Sequence, residues 1–370
     1  MRSVEERPEI DDAYVAALAA IAHEHGLSHV GIASADVLWR ARRELLRRQA
    51  AGLHDGMQFT YRNPQRSTDP SAAVPGAQAV LVGALPYDTD EPDRPAGPVG
   101  RIARYARSDY YGRLRSGLWA VAHRLRLDGW KAVAYADDNS MVDREIAHRA
   151  GIGWFGKNAN LLVPGSGSWF VLGSVVTTAA LPANDVPVGD GCGTCRRCID
   201  ACPTGAIVAP GVVDARRCLA WLLQKPGEFP REHRVAVGDR MYGCDDCQSV
   251  CPPTVRLGAR QGASGEQPTA WISLLAVLDG DDEEVLEGWG RWYLADRDPR
   301  WARRNALIAL GNVGDAADPR VVATVQRYLA VDDPILRAQA VWTARRLHLD
   351  ALVPQHDPDA IVVGELLATS

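Results

Sequence analysis

The residues most able to do chemistry are the eight cysteines, all of which lie between Cys192 and Cys251. The first group reads Cys192-x2-Cys195-x2-Cys198-x3-Cys202-Pro203. Three thiolates at this spacing wrap one 4Fe–4S cubane, and the fourth, before proline, points at a neighbouring cluster. The second group, Cys244-x2-Cys247-x3-Cys251-Pro252, is one cysteine short of the full run. Cys218, otherwise isolated, supplies the missing ligand. One cluster then takes Cys192, Cys195, Cys198 and Cys251, and the other takes Cys202, Cys218, Cys244 and Cys247. Two cubanes need eight thiolates, and eight are present. Paired CxxC groups also suit zinc, but zinc does not call for a CxxCxxCxxxCP run. Disulfides belong to small secreted domains, whereas this chain reads as an occupant of a reducing compartment.

Two adjacent clusters make an electron wire, and the elements around the wire say what it feeds. Residues 1–186 read as an α/β domain in which helices and strands alternate. Helices are expected over Asp11–His25, Asp36–Ala51, Tyr111–Asp128 and Val142–Ala150, and strands over His29–Ser34, Ala77–Tyr87, Lys131–Asp137 and Trp169–Thr178. Asp88–Gly100 reads as a Pro/Asp/Gly loop. Residues 187–255 are dense in Cys, Gly and Pro, and clusters would supply the organisation that apolar side chains do not. Residues 256–370 form a third domain, read as helical from about 269 onward. Asp298-Pro299 and Asp333-Pro334 each open a helical stretch, 35 residues apart, in a weak HEAT-like repeat. A wire set between a large α/β domain and a helical domain points to an enzyme supplied with electrons.

The 370 residues exceed what one hydrophobic core usually supports. A net charge of -5 excludes a whole-protein basic field for gripping nucleic acid, though not a local basic patch. Only Lys131, Lys157 and Lys225 are lysines; every other basic residue is arginine. The charged N-terminus MRSVEERPEIDD does not read as a secretory signal, and no stretch approaches the ~18 apolar residues of a membrane span. A cytoplasmic, monomeric protein without membrane attachment is expected. Neither a dinucleotide fingerprint nor a Walker loop is present to name the electron donor.

Four stretches resemble one family. They are GLHDGMQFTYRNP (Gly52 to Pro64), GRIARYARSDYY (Gly100 to Tyr111), the run from Asp137 to Thr178 containing AGIGWFGKN, and GDRMYGCDDCQSVCP (Gly238 to Pro252). Together with the cluster run and the helical tail they look like the epoxyqueuosine reductases. The resemblance implies a nitroreductase-like α/β domain holding base-off cobalamin, a two-cluster ferredoxin-like module and C-terminal HEAT-like helical repeats. It implies reduction of epoxyqueuosine to queuosine in the tRNA anticodon, at the wobble position, as the last step of queuosine biosynthesis. The partners implied are a tRNA carrying epoxyqueuosine and a low-potential electron donor.

Asp137 matches the family's proton-donating aspartate. A carboxyl crowded by an apolar corrin face would have a raised pKa, because desolvation disfavours the anion. The alternative role for Asp137 is a helix N-cap, shared with Asp138, Asn139 and Ser140. Gly151, Gly153 and Gly156 suit a tight loop or a close approach of backbone to a planar cofactor. Lys157 and Asn158 are candidates for corrin amides, and Ser168, Trp169 and Phe170 for the corrin edge. Arg144, Arg300, Arg303 and Arg304 are candidates for tRNA phosphates, with Arg101, Arg104 and Arg107 near the expected mouth. Removing the tail after about Ala270 is expected to weaken tRNA binding and leave the iron content intact. The chain departs from the family's usual pattern at Tyr111, at Pro253-Thr254 and across Ala220–Lys225. Two other readings use the same wire: a corrinoid reductase of a small molecule, and an electron carrier without catalysis.

Overall fold

The structure, a computed structural model, describes residues 7–87, 91–258, 269–289 and 292–368. The first six residues of the charged N-terminus, part of the loop expected at 88–100 and the first part of the expected tail domain lie outside these. The chain divides into two compact units. One comprises Met1–Asp90, Asp109–Asp214 and Asp246–Gly265; the other comprises Glu91–Ser108, Ala215–Asp245 and Glu266–Ser370.

The first unit is built on a four-stranded sheet with the order His29–Ser34, Ala79–Pro86, Phe170–Thr177, Ala132–Ala136, every pair antiparallel. Ala79–Pro86 is central because it is apolar almost throughout; all but Pro86 is buried. One face is covered by helices Asp12–Glu24 and Tyr110–Leu127, whose Leu18, Leu114, Leu118 and Val121 are fully buried. Burial of each such leucine contributes roughly 1.5–3 kcal/mol. Both helices begin on an aspartate: the Asp11 carboxylate accepts from the Tyr14 N–H at 2.8 Å, and Asp109 does the same for Gly112. Gly83 and Gly173 face each other in register. A Cβ on Gly83 would stand 2.2 Å from Leu27, and one on Gly173 2.6 Å from Leu118, so Gly83 makes room for Leu27 and Gly173 lets the long helix lie close on the sheet. The opposite face is covered by Met141, Ile146 and Ala147, with Leu38 and Ala41 beside them. The layered α/β reading of this region holds, with element ends within a few residues of those expected.

The second unit has a three-stranded sheet, Arg240–Tyr242, Val99–Ile102 and Trp271–Ser273, with Val99–Ile102 in the centre. None of these three strands was read from the sequence, Arg240–Tyr242 falling in the Cys, Gly and Pro-dense segment. Val99–Ile102 emerges at the end of the expected loop, and Trp271–Ser273 lies in a stretch read as helical. Strands of three or four residues carry no readable alternation, and their partners are distant in the chain. Helices Arg300–Val313, Pro319–Tyr328, Pro334–Arg346 and Ala360–Leu367 complete the unit. Three of them follow Asp-Pro. Asp298, Asp318 and Asp333 accept from the N–H groups of Arg300, Arg320 and Leu336 at 2.9 Å. The opening at Asp318-Pro319 falls between the two noted in the sequence. The first three helices bury Trp301, Leu307, Val325 and Ala340 in one core with Leu274 and Ile272.

Candidate active site and cluster ligands

Asp137 follows the last residue of the Ala132–Ala136 strand and has a left-handed backbone, with φ of 54°. The sequence places it inside the strand; instead it turns the chain away from the sheet. A left-handed aspartate is uncommon and held only where its surroundings demand it. Neither Asp137 nor its neighbours Asp138, Asn139 and Ser140 cap the helix Asp143–Arg149, whose N-cap is Val142 without a side-chain bond; Asp138 instead accepts from the Ser140 N–H at 2.7 Å in the preceding turn. The sheet is fully buried around Val175–Thr177 and opens toward Phe170, Leu172 and Tyr135, which are half-buried. Asp137 therefore sits at the open, apolar end of the sheet.

Burial raises the Asp137 carboxyl above its ordinary value; Arg115 opposes this and the charge of Asp138 adds to it. Its side chain is still open to solvent, which limits the effect, and a group covering it would extend the shift. Two further acids share this end: Asp143, which sequence reasoning did not single out, and Tyr111, noted there only as a departure from the family's pattern. Asp143, in the first turn of helix Asp143–Arg149, accepts from the Ser174 hydroxyl at 2.6 Å. Its carboxyl is pushed up to about 7, first by burial and further by Asp137 and Asp138, while Ser174 and Arg144 lower it. Tyr111 is driven well above the ordinary phenol range by burial and by Asp137. In the sequence Asp143 is indistinguishable from an ordinary acid at a helix N-terminus.

The raised Asp143 value has a measurable consequence for stability. The folded state binds this proton more tightly than the unfolded chain, so stability is lost as pH rises between the ordinary value of 3.8 and about 7. Denaturant midpoints are expected to fall across that window, and Asp143→Asn should flatten the decline. A wild-type slope retained in the variant would assign the titration to another group.

The AGIGWFGKN segment is sewn to the cysteine loops of its own unit. Lys157 Nζ donates to the carbonyls of Gly193 and Cys195 at 2.6 and 2.9 Å. Asn158 donates to the Cys247 carbonyl at 3.2 Å. Buried Gln248 donates to Tyr87, to the Ser168 carbonyl and to the Ser168 hydroxyl, and Ser168 also meets Thr254. Gly167, with φ of 70°, would put a Cβ 2.5 Å from the Thr254 backbone, so only glycine fits. Gly156 likewise has no room, since a Cβ would meet Asn158 and Leu162 at 2.7 Å. Trp169 is buried against Tyr87, and Phe170 meets His29 edge-on. Lys157, Asn158 and Ser168, expected to face a corrin, thus have partners in the cluster loops.

Cys198 and Cys251 are buried, the other six cysteines are half-buried, and none of the eight forms a disulfide. Burial raises Cys198, and the charges of Cys251, Cys192 and Cys195 raise it further, so those four lie together. This is the first ligand set read from the spacing. Among the described residues no three His, Cys, Asp or Glu side chains converge tightly enough for a single metal ion. Cubane thiolates stand further apart, because each binds a different iron. The Cys192 N–H donates to Asp190, and the Ala206 N–H donates to Cys202 Sγ at 3.2 Å. Cys218 and Cys244 lie in the second unit. There Cys218 precedes the short helix Leu219–Leu222, and Cys244 packs against a core that includes Leu222, Phe229 and Ile308.

The 4Fe–4S double cluster binding domain family matches residues 191–254. The epoxyqueuosine reductase of Bacillus cereus is 31% identical over 339 residues, spanning 88% of this chain and 87% of the relative. That of Xanthomonas campestris pv. campestris is 32% identical over 363 residues, spanning 92% of this chain and 98% of the relative. The chain belongs to the epoxyqueuosine reductase family. It is an oxidoreductase with two 4Fe–4S clusters. A solved epoxyqueuosine reductase bearing an epoxyqueuosine-modified tRNA-Tyr stem loop superposes with a TM-score of 0.85. It is 27% identical and covers 96% of this chain and 99% of its own. The fold shared across this family is the mixed α/β and helical one described above. Among the described residues no helix is long and apolar enough to cross a membrane.

The arginines expected at phosphates divide sharply. Arg304 is fully buried, and its guanidinium donates to the carbonyls of Leu222, Lys225 and Gly227. This removes it from any phosphate-facing role. Arg107 is buried with Glu91 and the Ile102 carbonyl. Arg101 pairs with Asp239, and Arg104 with Asp245. Arg300 pairs with Asp298 and Asp333, and Arg303 with Asp282. Arg144 is exposed and donates to the Ala159 carbonyl at 3.5 Å.

Proposed function

We propose that this chain removes the epoxide oxygen of epoxyqueuosine at the tRNA wobble position, completing queuosine in the cytoplasm. The balance is an epoxide, two electrons and two protons giving an alkene and water. The supporting observation is family membership over nearly the whole chain, joined to a raised acid, Asp137, at the open end of the sheet.

The three sequence segments, 1–186, 187–255 and 256–370, are proposed as functional modules: a nitroreductase-like cobalamin domain, a ferredoxin-like cluster module and HEAT-like repeats. Cobalamin fits the open end of the sheet. Half-buried Phe170, Leu172 and Tyr135 offer an apolar surface beside Asp137, and Gly156, Trp169 and the loop of Lys157, Asn158 and Ser168 would bound it. When bound, cobalamin would supply the paired-electron chemistry that single-electron clusters do not. The chain's own residues do the rest. Asp137 holds a proton at its carboxyl beside the substrate oxygen. Tyr111 remains protonated at neutral pH, and Asp143, with its carboxyl pushed up to about 7, is only partly ionised there, which limits further negative charge beside Asp137. Lys157 and Asn158 fix the cluster loops. Anaerobic reconstitution with clusters and cobalamin, followed by mass spectrometry of nucleosides from tRNA bearing epoxyqueuosine, tests the activity. Absence of queuosine with both cofactors loaded would overturn it.

Exposed Arg144 is proposed as a tRNA phosphate contact, with Arg300 and Arg303 as further candidates once phosphate competes with their carboxylates. Binding is expected to weaken steeply with salt as counterions are released. Arg144→Ala should lower the slope of log affinity against log salt by about 1. An unchanged slope removes Arg144 from the interface.

A further inference from the structure

The helical tail contains two adjacent buried polar residues whose hydrogen bonds all serve one neighbourhood. Arg304 and Asn305 lie on helix Arg300–Val313, each fully buried. Arg304 donates to Lys225 and Gly227 carbonyls at 2.8 and 2.7 Å, and to Leu222 at 3.0 Å. A helix end leaves carbonyls without intrahelical partners; here the end belongs to Leu219–Leu222, which starts at Cys218. Asn305 accepts from Arg304 at 2.9 Å, which fixes its amide orientation. Its NH2 group then donates one hydrogen to Leu223, at 2.7 Å, and the other to Met241, at 3.3 Å. Met241 is three residues before Cys244. One amide thus ties the arm carrying Cys218 to the strand leading into Cys244.

The position is costly to maintain. No carboxylate contacts the Arg304 guanidinium in the described structure, and burial lowers its pKa to about 9, with Arg234 adding to the fall. It stays charged at neutral pH, and removing it would strand several buried carbonyls.

We propose that Arg304 and Asn305 are positioning residues that set the spacing of the Cys218 and Cys244 thiolates, so that the cluster they bind is assembled only with the C-terminal helices in place. This rests on the second ligand set read above. It also reverses the expectation that removing the tail leaves the iron content intact.

Asn305→Asp tests it. The aspartate keeps the size and the bond from Arg304 but cannot donate to either arm. Anaerobically reconstituted wild type should hold about eight irons per chain and Asn305→Asp about four, as for Cys218→Ala, with the loss confined to one cluster by EPR of the reduced protein. Arg304→Lys, which keeps the charge but not the planar fork, should load the same cluster incompletely. Arg337→Ala, which breaks the Arg337–Asp357 pair elsewhere in the tail, should lower thermal stability and retain about eight irons. If Cys218→Ala itself holds about eight, the ligand set is wrong. If Cys218→Ala falls to about four while Asn305→Asp and Arg304→Lys stay at eight, the positioning role is wrong. If both clamp variants fail to fold while Arg337→Ala folds, the pair is a general stability element and the proposal falls.

Discussion

Asp137→Asn is expected to lower turnover by roughly 10²–10⁴-fold, the usual cost of losing a general acid. The substitution keeps the size and a polar group at the left-handed position, where asparagine is tolerated. Both clusters should still be reduced, and cobalamin should still bind, so the loss belongs to proton delivery. A general acid acts only while protonated. Because the Asp137 carboxyl is raised, wild-type activity should decline as pH climbs through that raised value, and the variant should lack this limb. Asp138→Asn should change turnover little, because its contribution is to accept from the Ser140 N–H, and the asparagine carbonyl can do the same. The reverse pattern, with Asp138→Asn dead and Asp137→Asn active, would move the acid to Asp138. Normal turnover in both would mean that the proton comes from water or substrate.

Cys218→Ala is expected to halve the iron content, from about eight per chain to about four, while the set of Cys192, Cys195, Cys198 and Cys251 stays loaded. Steady-state turnover should be abolished with it, because a wire missing one of its two clusters no longer carries electrons from the donor. Two readings sink the idea. Iron at about four in the wild type would mean that eight thiolates are not shared between two cubanes. Iron at about eight in Cys218→Ala would free Cys218 from ligation and leave the second set without its fourth thiolate. Chemical reduction of the variant separates the effects: the remaining cluster should still accept an electron.

The sequence by itself determined the cluster chemistry, because cubane ligation is written in spacing. A CxxCxxCxxxCP run places Cys192, Cys195 and Cys198 by local backbone geometry, whereas Cys251 comes from the second group, and the fold brings its charge near Cys198. Four helices, near Asp12–Glu24, Trp39–Ala50, Tyr110–Leu127 and Asp143–Arg149, and the four long strands of the first unit were legible for the same reason, since their apolar periodicity is local. Motif strings carried the family, and with it Asp137.

What only the tertiary structure decided concerns residues whose role depends on neighbours distant in the chain. Arg304 reads as a surface cation of a helical repeat, yet carbonyls some eighty residues earlier surround it. Lys157 and Asn158 read as cofactor contacts, yet the nearest acceptors are backbone carbonyls of the cysteine loops. Asp143 reads as a helix N-terminal acid, and only its burial in the fold, with Asp137 and Asp138 nearby, raises its carboxyl. Val99–Ile102 reads as loop because a four-residue strand has no periodicity of its own; Arg240–Tyr242 and Trp271–Ser273 make it a strand. Local periodicity and ligand spacing are properties of a segment, whereas burial of a charge and pairing of a short strand are properties of what the fold brings against it.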